Sequence, residues 1–568
     1  MSSLAQETQP RSSAPASGRS TSIPTLLRSQ FQLDRVPVRN PVNVGLMAEQ
    51  AAARFGRVPI YLDQPFTWDP EQRLELDFVE CATLIEQFSA VFKQAGVQRW
   101  DRVVILKSPN YDIQSIAWAA ARIGAIPALI SARLDPDIIN ILLDRLQARF
   151  IVTDPQVAEY ARLDKDRLRA LNITAIAPID GGIPVQDLWG GAVPPARPLK
   201  DDEPMMITHT SSTTGVSKLA ETTAKATGFS TFIEAVFPFG HGKNELFASV
   251  ISHVHVRAAV AQAAAMSRGT PLLGVANSAD ETILSLFSRY RPTIMEAHPN
   301  AYVGWEQLVD DPAQPFSTIR LFFNTFDAIH PRTIRRLLEA SKRSYPVWLQ
   351  SYGMTETQPV TARIYTRRSA KRLSASSSRS VGWTLPLVRA RIADPATGER
   401  QSSRKPGMIQ ARTPARALSF VGTPEKFSDR RHGKWFDTGD WGRRNRFGQL
   451  EVLDRVADRI EGVDSCLWIE DVLLDRIPDA EEIVVVPDEK GKPVAVVCMR
   501  DGKPLTADAW KIASDGVSGL GDPFEVSPEQ LQRTATVKAR RFLLTEMIKN
   551  GEGGDATVRP EVALRDGA

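Results

Sequence analysis

Apolar residues in the first part of the chain alternate between helical spacing and short continuous runs. Segments with apolar positions at helical spacing predict helices, and β-branched runs too short for a helix predict buried strands. Such alternation is typical of a parallel sheet covered by helices on both faces. The helices are expected over residues 43–55, 111–124 and 135–146, and the strands over residues 102–106, 128–130 and 150–152.

The same alternation resumes beyond residue 220 and predicts a second unit of similar style. A strand leading into an Ala-rich helix is expected over residues 247–265. Further helices are predicted over residues 222–237, 282–290 and 333–341, and further strands over residues 271–273, 293–295, 320–324 and 347–351.

Beyond residue 388 the pattern changes. Residues 388–410 and 435–453 are short, alternating and rich in turn residues, which predicts a small antiparallel or barrel-like subdomain. Later residues predict a compact α+β unit after a hinge near 454–460. Its strands are expected at 472–474, 483–486 and 494–499, and its helices at 506–513 and 528–532.

The predicted fold class is α/β: a large N-terminal domain of two parallel-type sheets sandwiched by helices, with the barrel-like subdomain, then a small mobile α+β domain. At 568 residues the chain is too long for one compact core. The expected boundaries are a disordered tail at 1–30, the large domain at 31–455, the small domain at 456–550 and a tail at 551–568.

Composition narrows the choice of partners and compartment. There are 70 Lys and Arg against 66 Asp and Glu, a net charge of +4, and the two signs are interspersed, so we expect no nucleic-acid partner. No apolar run of ~18 residues exists, so we expect no membrane partner. Three widely spaced cysteines fit a reducing compartment. We expect a cytoplasmic enzyme; an organelle transit peptide at the Ser- and Arg-containing N-terminus is the alternative.

A run of hydroxyl residues at 208–219, THTSSTTGVSKL, follows an apolar patch. Hydroxyls and backbone N–H groups in a flexible loop form an anion site, and a lysine adds a charge that meets phosphate. The alternative is an ordinary Ser/Thr-rich surface loop, because the Gly-x4-Gly-Lys-Ser/Thr pattern is not matched. The residues expected to bind phosphate are Thr210, Ser211, Ser212, Thr213, Thr214 and Lys218.

Four later segments complete a pattern. QSYGMTE at 350–356 follows an apolar run, which places it at the carboxyl end of a strand, where open α/β sheets bind ligands. WFDTGD and DRVAD follow at 435–440 and 454–458, and RTATVK at 533–538. In this order the segments resemble the motifs of the acyl-adenylate-forming (AMP-binding) superfamily, which includes acyl-CoA synthetases, adenylation domains, luciferases and stand-alone amide synthetases.

The resemblance implies a role for each matched residue. Tyr352 would stack on adenine, and Gly353 would let the backbone approach the acyl-phosphate. Thr355 would contact the α-phosphate, and Glu356 would hold Mg²⁺.

The remaining matched residues would act on the ribose and on the reacting phosphate. Asp440 would accept both ribose hydroxyls, and Arg455 would meet ribose or phosphate. Lys538 would stabilise the charge that develops between the carboxylate and the α-phosphate. ATP and Mg²⁺ are the expected cofactors.

The acyl pocket is expected near residues 324–328. Phe326 and Asp327 narrow and polarise it, which favours a planar or aromatic acid. His255 matches a pocket histidine of the family, with His253 as the alternative, and His255, His253 or Asp327 could act as general base.

The predicted reaction joins a carboxylic acid to AMP with release of pyrophosphate and passes the acyl group to an amine, giving an amide. In CoA ligases of the family, residues after the hinge are Gly-Gly-Glu-Asn-Ile-x-Pro, whose glycines line a narrow tunnel. Here VDSCLWI stands at 463–469, so we expect an amine acceptor. A CoA ligase is the alternative, and a catalytically degenerate nucleotide-binding protein is the second alternative.

Overall fold

The structure is a computed structural model and describes residues 42–172, 179–210, 216–236, 240–374, 379–533 and 538–550. The predicted tails at 1–30 and 551–568 lie outside this part of the chain. The strands are β1 (Pro59–Leu62), β2 (Glu75–Asp77), β3 (Arg102–Ile105), β4 (Ile126–Leu129), β5 (Phe150–Thr153), β6 (Ala170–Asn172), β7 (Ile183–Pro184), β8 (Pro204–His209), β9 (Leu219–Thr223), β10 (Phe247–Val250), β11 (Leu272–Gly274), β12 (Ile294–Ala297), β13 (Leu321–Asn324), β14 (Val347–Met354), β15 (Gln358–Thr366), β16 (Ser380–Thr384), β17 (Arg389–Ala393), β18 (Gly407–Arg412), β19 (Phe420–Val421), β20 (Arg431–His432), β21 (Trp435–Arg444), β22 (Leu450–Arg455), β23 (Ala480–Pro487), β24 (Pro493–Met499) and β25 (Phe524–Val526).

The α-helices have apolar faces that cover these strands. They are α1 (Val44–Phe55), α2 (Phe78–Gln94), α3 (Asp112–Arg122), α4 (Pro136–Leu146), α5 (Pro155–Tyr160), α6 (Ala224–Ala235), α7 (Val256–Ser267), α8 (Asp280–Tyr290), α9 (Pro299–Gly304), α10 (Pro331–Ala340), α11 (Arg367–Ala370), α12 (Pro424–Ser428), α13 (Cys466–Arg476), α14 (Ala507–Ser514) and α15 (Arg541–Lys549). In the part of the chain that the structure describes, no helix combines the length and apolarity needed to cross a bilayer.

Two sheets form the large domain, and each contains a run of parallel strands. The smaller has the order β19-β9-β8-β4-β3-β5-β6-β7, and its strands from β8 to β7 run parallel. In the larger, β1, β11, β10, β12, β13 and β14 are parallel neighbours. Helices α1, α2 and α3 pack together beside the largest core cluster. The predicted α/β class, with its helix-covered parallel sheets, is confirmed.

The antiparallel strands of the predicted barrel-like subdomain continue directly from the larger sheet. Strand β15 turns back on β14, and the order then runs through β16, β22, β21, β18 and β17. This continuity brings Asp440 of β21 and Arg455 at the end of β22 beside the end of β14.

The C-terminal part has a sheet and cores of its own. Strands β23, β24 and β25 form a three-stranded sheet, and two apolar clusters within residues 460–544 pack on its faces. Arg332 donates to the Pro478 carbonyl at 3.1 Å, which joins this unit to the large domain. The exact domain boundaries stay a prediction.

Two of the expected elements in this unit are wrong. Residues 472–474 are not a strand but lie within α13, where Ile469, Val472 and Leu473 are buried at helical spacing. Ser465 caps that helix by accepting from the Trp468 N–H at 3.1 Å. Residues 528–532 form a turn rather than a helix, in which the Gln530 side chain accepts from the Ser527 N–H at 2.9 Å.

Candidate active site

Two neighbouring cavities meet at the carboxyl end of β14. The first, of about 240 Å³, lies between the larger sheet and helices α6 and α7. The second, of about 290 Å³, lies between the large domain and the C-terminal unit. The residues that line both are Ser351, Gly353, Phe326, Arg455 and Lys538. A molecule in one cavity therefore meets a molecule in the other at these residues.

The hydroxyl-rich loop joins β8 to β9. Its two ends are tied together, since the Thr210 N–H donates to the Lys218 carbonyl at 2.8 Å and the Lys218 N–H donates to the Thr210 Oγ at 3.2 Å. Both residues line the first cavity. Burial and the nearby Arg430 lower the pKa of Lys218. Ser211, Ser212, Thr213 and Thr214 lie outside the described residues.

The end of β14 is shaped by a close backbone approach. A Cβ atom on Gly353 would lie 2.1 Å from the carbonyl oxygen of Gln358 on the antiparallel return strand. Only glycine fits there without movement. The register of the two strands shifts between Tyr352 and Gly353, and this irregularity presents Thr355 and Glu356 to the first cavity.

Asp440 and Arg455 are register partners on β21 and β22. The Tyr352 hydroxyl donates to Asp440 Oδ2 at 2.6 Å, and Arg455 Nε lies 3.4 Å from Asp440 Oδ1. The Asp440 carboxylate raises the pKa of Arg455, whereas burial of the guanidinium lowers it. The carboxylate prevails, so the pKa of Arg455 lies above its ordinary value. Three of the residues predicted to bind the nucleoside are thus brought together at the second cavity.

Lys538 reaches back from the C-terminal unit to the large domain. Its Nζ lies 3.1 Å from Asp327 Oδ2. Burial alone would raise the pKa of Asp327, but the charge and hydrogen bond of Lys538 outweigh it, so the pKa lies below its ordinary value. Phe326, the preceding residue, has φ 73°, a strained conformation for a bulky side chain.

His255 lines the first cavity beside Phe326, and further histidines pack around these two rings. The ring centroid of His255 lies 5.0 Å from that of His209 and 5.4 Å from that of Phe326, and the His298 centroid lies 4.4 Å from the Phe326 centroid. Burial lowers the pKa of His209 to about 4 and that of His298 to about 3, and it lowers the pKa of His255 well below 6.5. These imidazoles are neutral at physiological pH. His253 contacts Tyr111 instead and does not line either cavity.

Glu356 is buried, and Oε1 accepts from Arg430 Nη1 at 2.8 Å. Among the described residues, no group of three or more His, Cys, Asp or Glu side chains could hold a metal ion. Mg²⁺ in nucleotide sites needs only one or two carboxylates, because phosphates and water supply the other oxygens. A single carboxylate that shares the first cavity with Thr210, Lys218 and Thr355 fits such an ion.

Several residues of the site were missed from the sequence. Arg430, and the paired charges Glu234, Arg257 and Glu296 on α6, α7 and β12, carry no motif. Their sequence neighbours gave no signal, because each charge is recognisable only from the side chains that the fold places around it.

Residues 48–420 match the family model described as AMP-binding enzyme. The chain belongs to the AMP-binding enzyme family. It is 35% identical over 551 residues to a 3-amino-2-hydroxy-4-methoxybenzoate diazotase from Streptomyces cremeus, covering 93% of this chain and 99% of that relative. It is 25% identical to an indoleacetate–CoA ligase from Aromatoleum aromaticum over 84% of this chain and 93% of that relative.

Solved structures of the family share the fold. The anthranilate CoA ligase AuaEII in complex with anthranoyl-AMP superposes with a TM-score of 0.77 at 18% identity, covering 91% of this chain and 99% of that one. The amide bond synthetase McbA from Marinactinospora thermotolerans gives 0.70 at 19% identity, covering 89% and 100%. The predicted membership of the adenylate-forming superfamily is confirmed, while the residue roles stay predictions.

Proposed function

We propose that this AMP-binding enzyme activates nitrite with ATP and transfers the nitrosyl group to an aromatic amine, giving a diazonium product. The observation that carries the proposal is the 35% identity to a diazotase along nearly the whole of both chains, against 25% for the indoleacetate–CoA ligase. Diazotisation requires a nitrogen donor at the oxidation level of nitrite. The family chemistry supplies a way to activate such an oxyanion, because nitrite, like a carboxylate, can attack phosphorus through oxygen.

In the first step, a nitrite oxygen attacks the α-phosphorus of ATP. A new oxygen–phosphorus bond forms, the bond to the pyrophosphate oxygen breaks, and pyrophosphate leaves. Lys538 and Arg455 lie where the two cavities meet and would stabilise the charge on the α-phosphate. Lys218 would bind a phosphate, and Mg²⁺ held by Glu356 would neutralise phosphate charge when bound.

In the second step, the amine nitrogen attacks the nitrosyl nitrogen. The nitrogen–oxygen bond breaks and AMP leaves with the electron pair. The amine loses one proton, and the resulting N-nitrosoamine takes up a proton and loses water to give the diazonium ion, so no external oxidant or reductant is needed. His255 lines the first cavity and its Nε2 has no partner among the described residues, so it is our candidate for the proton acceptor.

Asp327 is less suited to that role. Its carboxylate is already bound to Lys538, whereas His255 Nε2 has no partner among the described residues. We therefore assign Asp327 to positioning Lys538 rather than to proton transfer.

An amine acceptor also fits the start of α13, where CoA ligases of the family carry glycines. Residues 463–469 here, VDSCLWI, contain no glycine, and Asp454 and Ser465 accept from the Cys466 and Trp468 N–H groups at 3.0 and 3.1 Å. Amide formation from a carboxylic acid is the second candidate, because it uses the same amine acceptor. As part of the proposal, the enzyme is cytoplasmic and has no nucleic-acid partner.

The test combines the purified protein at neutral pH with ATP, Mg²⁺, nitrite and a panel of arylamines. Diazonium is trapped by azo coupling, and ¹⁵N-nitrite marks the coupled product by mass. We expect labelled azo product and AMP, both lost in Lys538→Ala and retained in Lys549→Ala, a surface lysine of α15. Reactions in which carboxylic acids replace nitrite, with either amines or CoA as the acceptor, test for the amide and thioester products. An amide or a thioester without any diazonium would contradict the proposal, and absence of pyrophosphate exchange with every acid would indicate a degenerate binder.

A further inference from the structure

Gln358 combines deep burial with an unpaired amide at the first cavity. The residue is 6% exposed and lines that cavity. Among the described residues, neither its Nε2 nor its Oε1 has a hydrogen-bond partner. A primary amide offers two donors and an acceptor oxygen, and buried groups of this kind are generally paired in native proteins because leaving them unmet costs stability. An unpaired amide beside a cavity therefore indicates that a ligand supplies the missing partner.

The backbone holds Gln358 in a fixed and unusual conformation. Its φ is 53°, in the left-handed region that non-glycine residues seldom adopt. It begins β15 opposite Met354 of β14, and its carbonyl oxygen accepts from the Thr357 hydroxyl at 3.2 Å. The same oxygen lies so near Gly353 that no Cβ fits between them. Residues held in sparsely populated backbone regions cluster at ligand-binding sites, where the surrounding structure keeps them in place.

Most charged groups along the first cavity are already matched with one another. The pairs are Arg257 with Glu234 and Glu296, Arg430 with Glu356, Arg455 with Asp440, and Lys538 with Asp327. Lys218 is a further cation of the lining. An anionic ligand would therefore meet no uncompensated carboxylate among the described residues of this cavity. Among the neutral side chains that the structure describes along it, only Gln358 has two unpaired atoms.

Resting on the proposed function, we infer that Gln358 selects an arylamine whose ring carries a carboxylate. Its Nε2 donates to a carboxylate oxygen, and a hydrogen bond to a charged acceptor is about twice as strong as one between neutral groups. Its Oε1 can accept from a hydroxyl or amino group next to that carboxylate. The ring carboxylate is thus a recognition group, and nitrite remains the oxyanion that attacks phosphorus. An apolar substituent would leave both amide atoms unpaired.

The test compares two ligands of matched shape, aminobenzoate and nitroaniline, with the substituent at the same ring position. Binding is measured by titration calorimetry with saturating AMP and without nitrite, so that the nucleotide fills its own site and no diazonium forms. We expect aminobenzoate to bind at least about 10-fold more tightly than nitroaniline at the meta or the para position, the size of one hydrogen bond to a charged group. Equal affinities, or tighter binding of nitroaniline, at both positions would overturn the inference.

Gln358→Met keeps an unbranched side chain of similar length and removes both polar atoms. We expect this variant to bind aminobenzoate about 10-fold more weakly and nitroaniline less than about 3-fold more weakly. Gln358→Glu replaces the donor by a charged acceptor and should weaken aminobenzoate further; it is the second variant if circular dichroism finds the first unfolded. Equal weakening of both ligands in the Met variant would indicate a merely structural role and contradict the inference.

Gln262→Met provides the matched control. Gln262 is a buried glutamine of α7 whose Nε2 is also unpaired among the described residues, but it lines neither cavity. We expect its replacement to leave the preference for aminobenzoate over nitroaniline unchanged. A loss of that preference in the control would show that an amide at the cavity is not what sets it, and the inference would fall.

A second measurement separates recognition of the ring carboxylate from its activation. With ATP, Mg²⁺ and aminobenzoate but no nitrite, we expect no release of pyrophosphate. Pyrophosphate released under these conditions would show that the carboxylate itself attacks phosphorus, which contradicts its assignment to Gln358.

The two proposals fail separately. Selective binding of aminobenzoate without diazonium formation would remove the proposed function and leave the ligand preference. Diazonium formation with no preference for a ring carboxylate would do the reverse.

Discussion

Replacing Asp327 by Asn tests whether this carboxylate positions Lys538 or takes part in proton transfer. The Lys538 side chain is 16% exposed and that of Asp327 is 47% exposed, and their charged atoms lie 3.1 Å apart. A pair whose carboxylate is this exposed contributes about 0.2–1 kcal/mol, which corresponds to a rate effect of about 1.5- to 5-fold. Removing Lys538 itself should cost about 100- to 1,000-fold, as for a preorganised donor to transition-state charge.

The assay is substrate-dependent release of pyrophosphate, which isolates the first half-reaction. We expect Asp327→Asn to slow it by about 1.5- to 5-fold in the native background. In the Lys538→Ala background the same change should have no further effect, because the carboxylate then has no lysine to position. A loss of 100-fold or more by Asp327→Asn that persists without Lys538, or that affects only the transfer to the amine, would refute positioning and indicate a direct chemical role.

Other consequences concern stability and metal use. Burial sets the pKa of His209 near 4, against an ordinary value of 6.5. The unfolded chain therefore takes up the proton first, and stability should fall as the pH drops from about 6.5 to 4. His209→Phe should weaken this loss of stability, measured from urea midpoints at two pH values, and an unchanged loss would contradict the prediction. Gly353→Ala places a Cβ 2.1 Å from the Gln358 carbonyl oxygen and should lower the free energy of unfolding by about 1–3 kcal/mol. Gly304→Ala, whose Cβ would have no atom within 4 Å, should not lower it. Equal melting temperatures of the two variants would contradict the predicted crowding at Gly353. Glu356→Gln should raise the Mg²⁺ concentration for half-maximal pyrophosphate release by about 10-fold, and an unchanged requirement would remove Glu356 as the ligand.

Much of the fold follows from local patterns. Helices α1, α3 and α4 and strands β3, β5, β13 and β14 lie where apolar spacing predicts them, because each buries one face or one run. The error at residues 472–474 has the same origin, since three consecutive apolar residues fit a strand or one turn of a buried helix. Ser465, seven residues earlier, was the missed signal, because a serine at an N-cap starts a helix.

The site was predictable only where one motif carries several residues. The end of β14 is such a case, because Tyr352 to Glu356 are consecutive. Pairings between motifs were not predictable: Tyr352 and Asp440 are 88 residues apart, and their hydrogen bond depends on the antiparallel strands between them. The ion pair between Arg257 and Glu296 was invisible for a similar reason, since the two residues are 39 positions apart and nothing local marks them as partners.

The most direct measurement follows the oxygen of nitrite. If nitrite oxygen attacks the α-phosphorus and the amine later attacks nitrogen, the bond that breaks lies between nitrogen and oxygen, and AMP keeps the nitrite oxygen. With ¹⁸O-nitrite, ATP and an arylamine, we predict AMP carrying one ¹⁸O atom for each diazonium ion formed, detected by mass spectrometry or by the ³¹P shift. Diazonium formed alongside unlabelled AMP would contradict activation of nitrite on phosphorus.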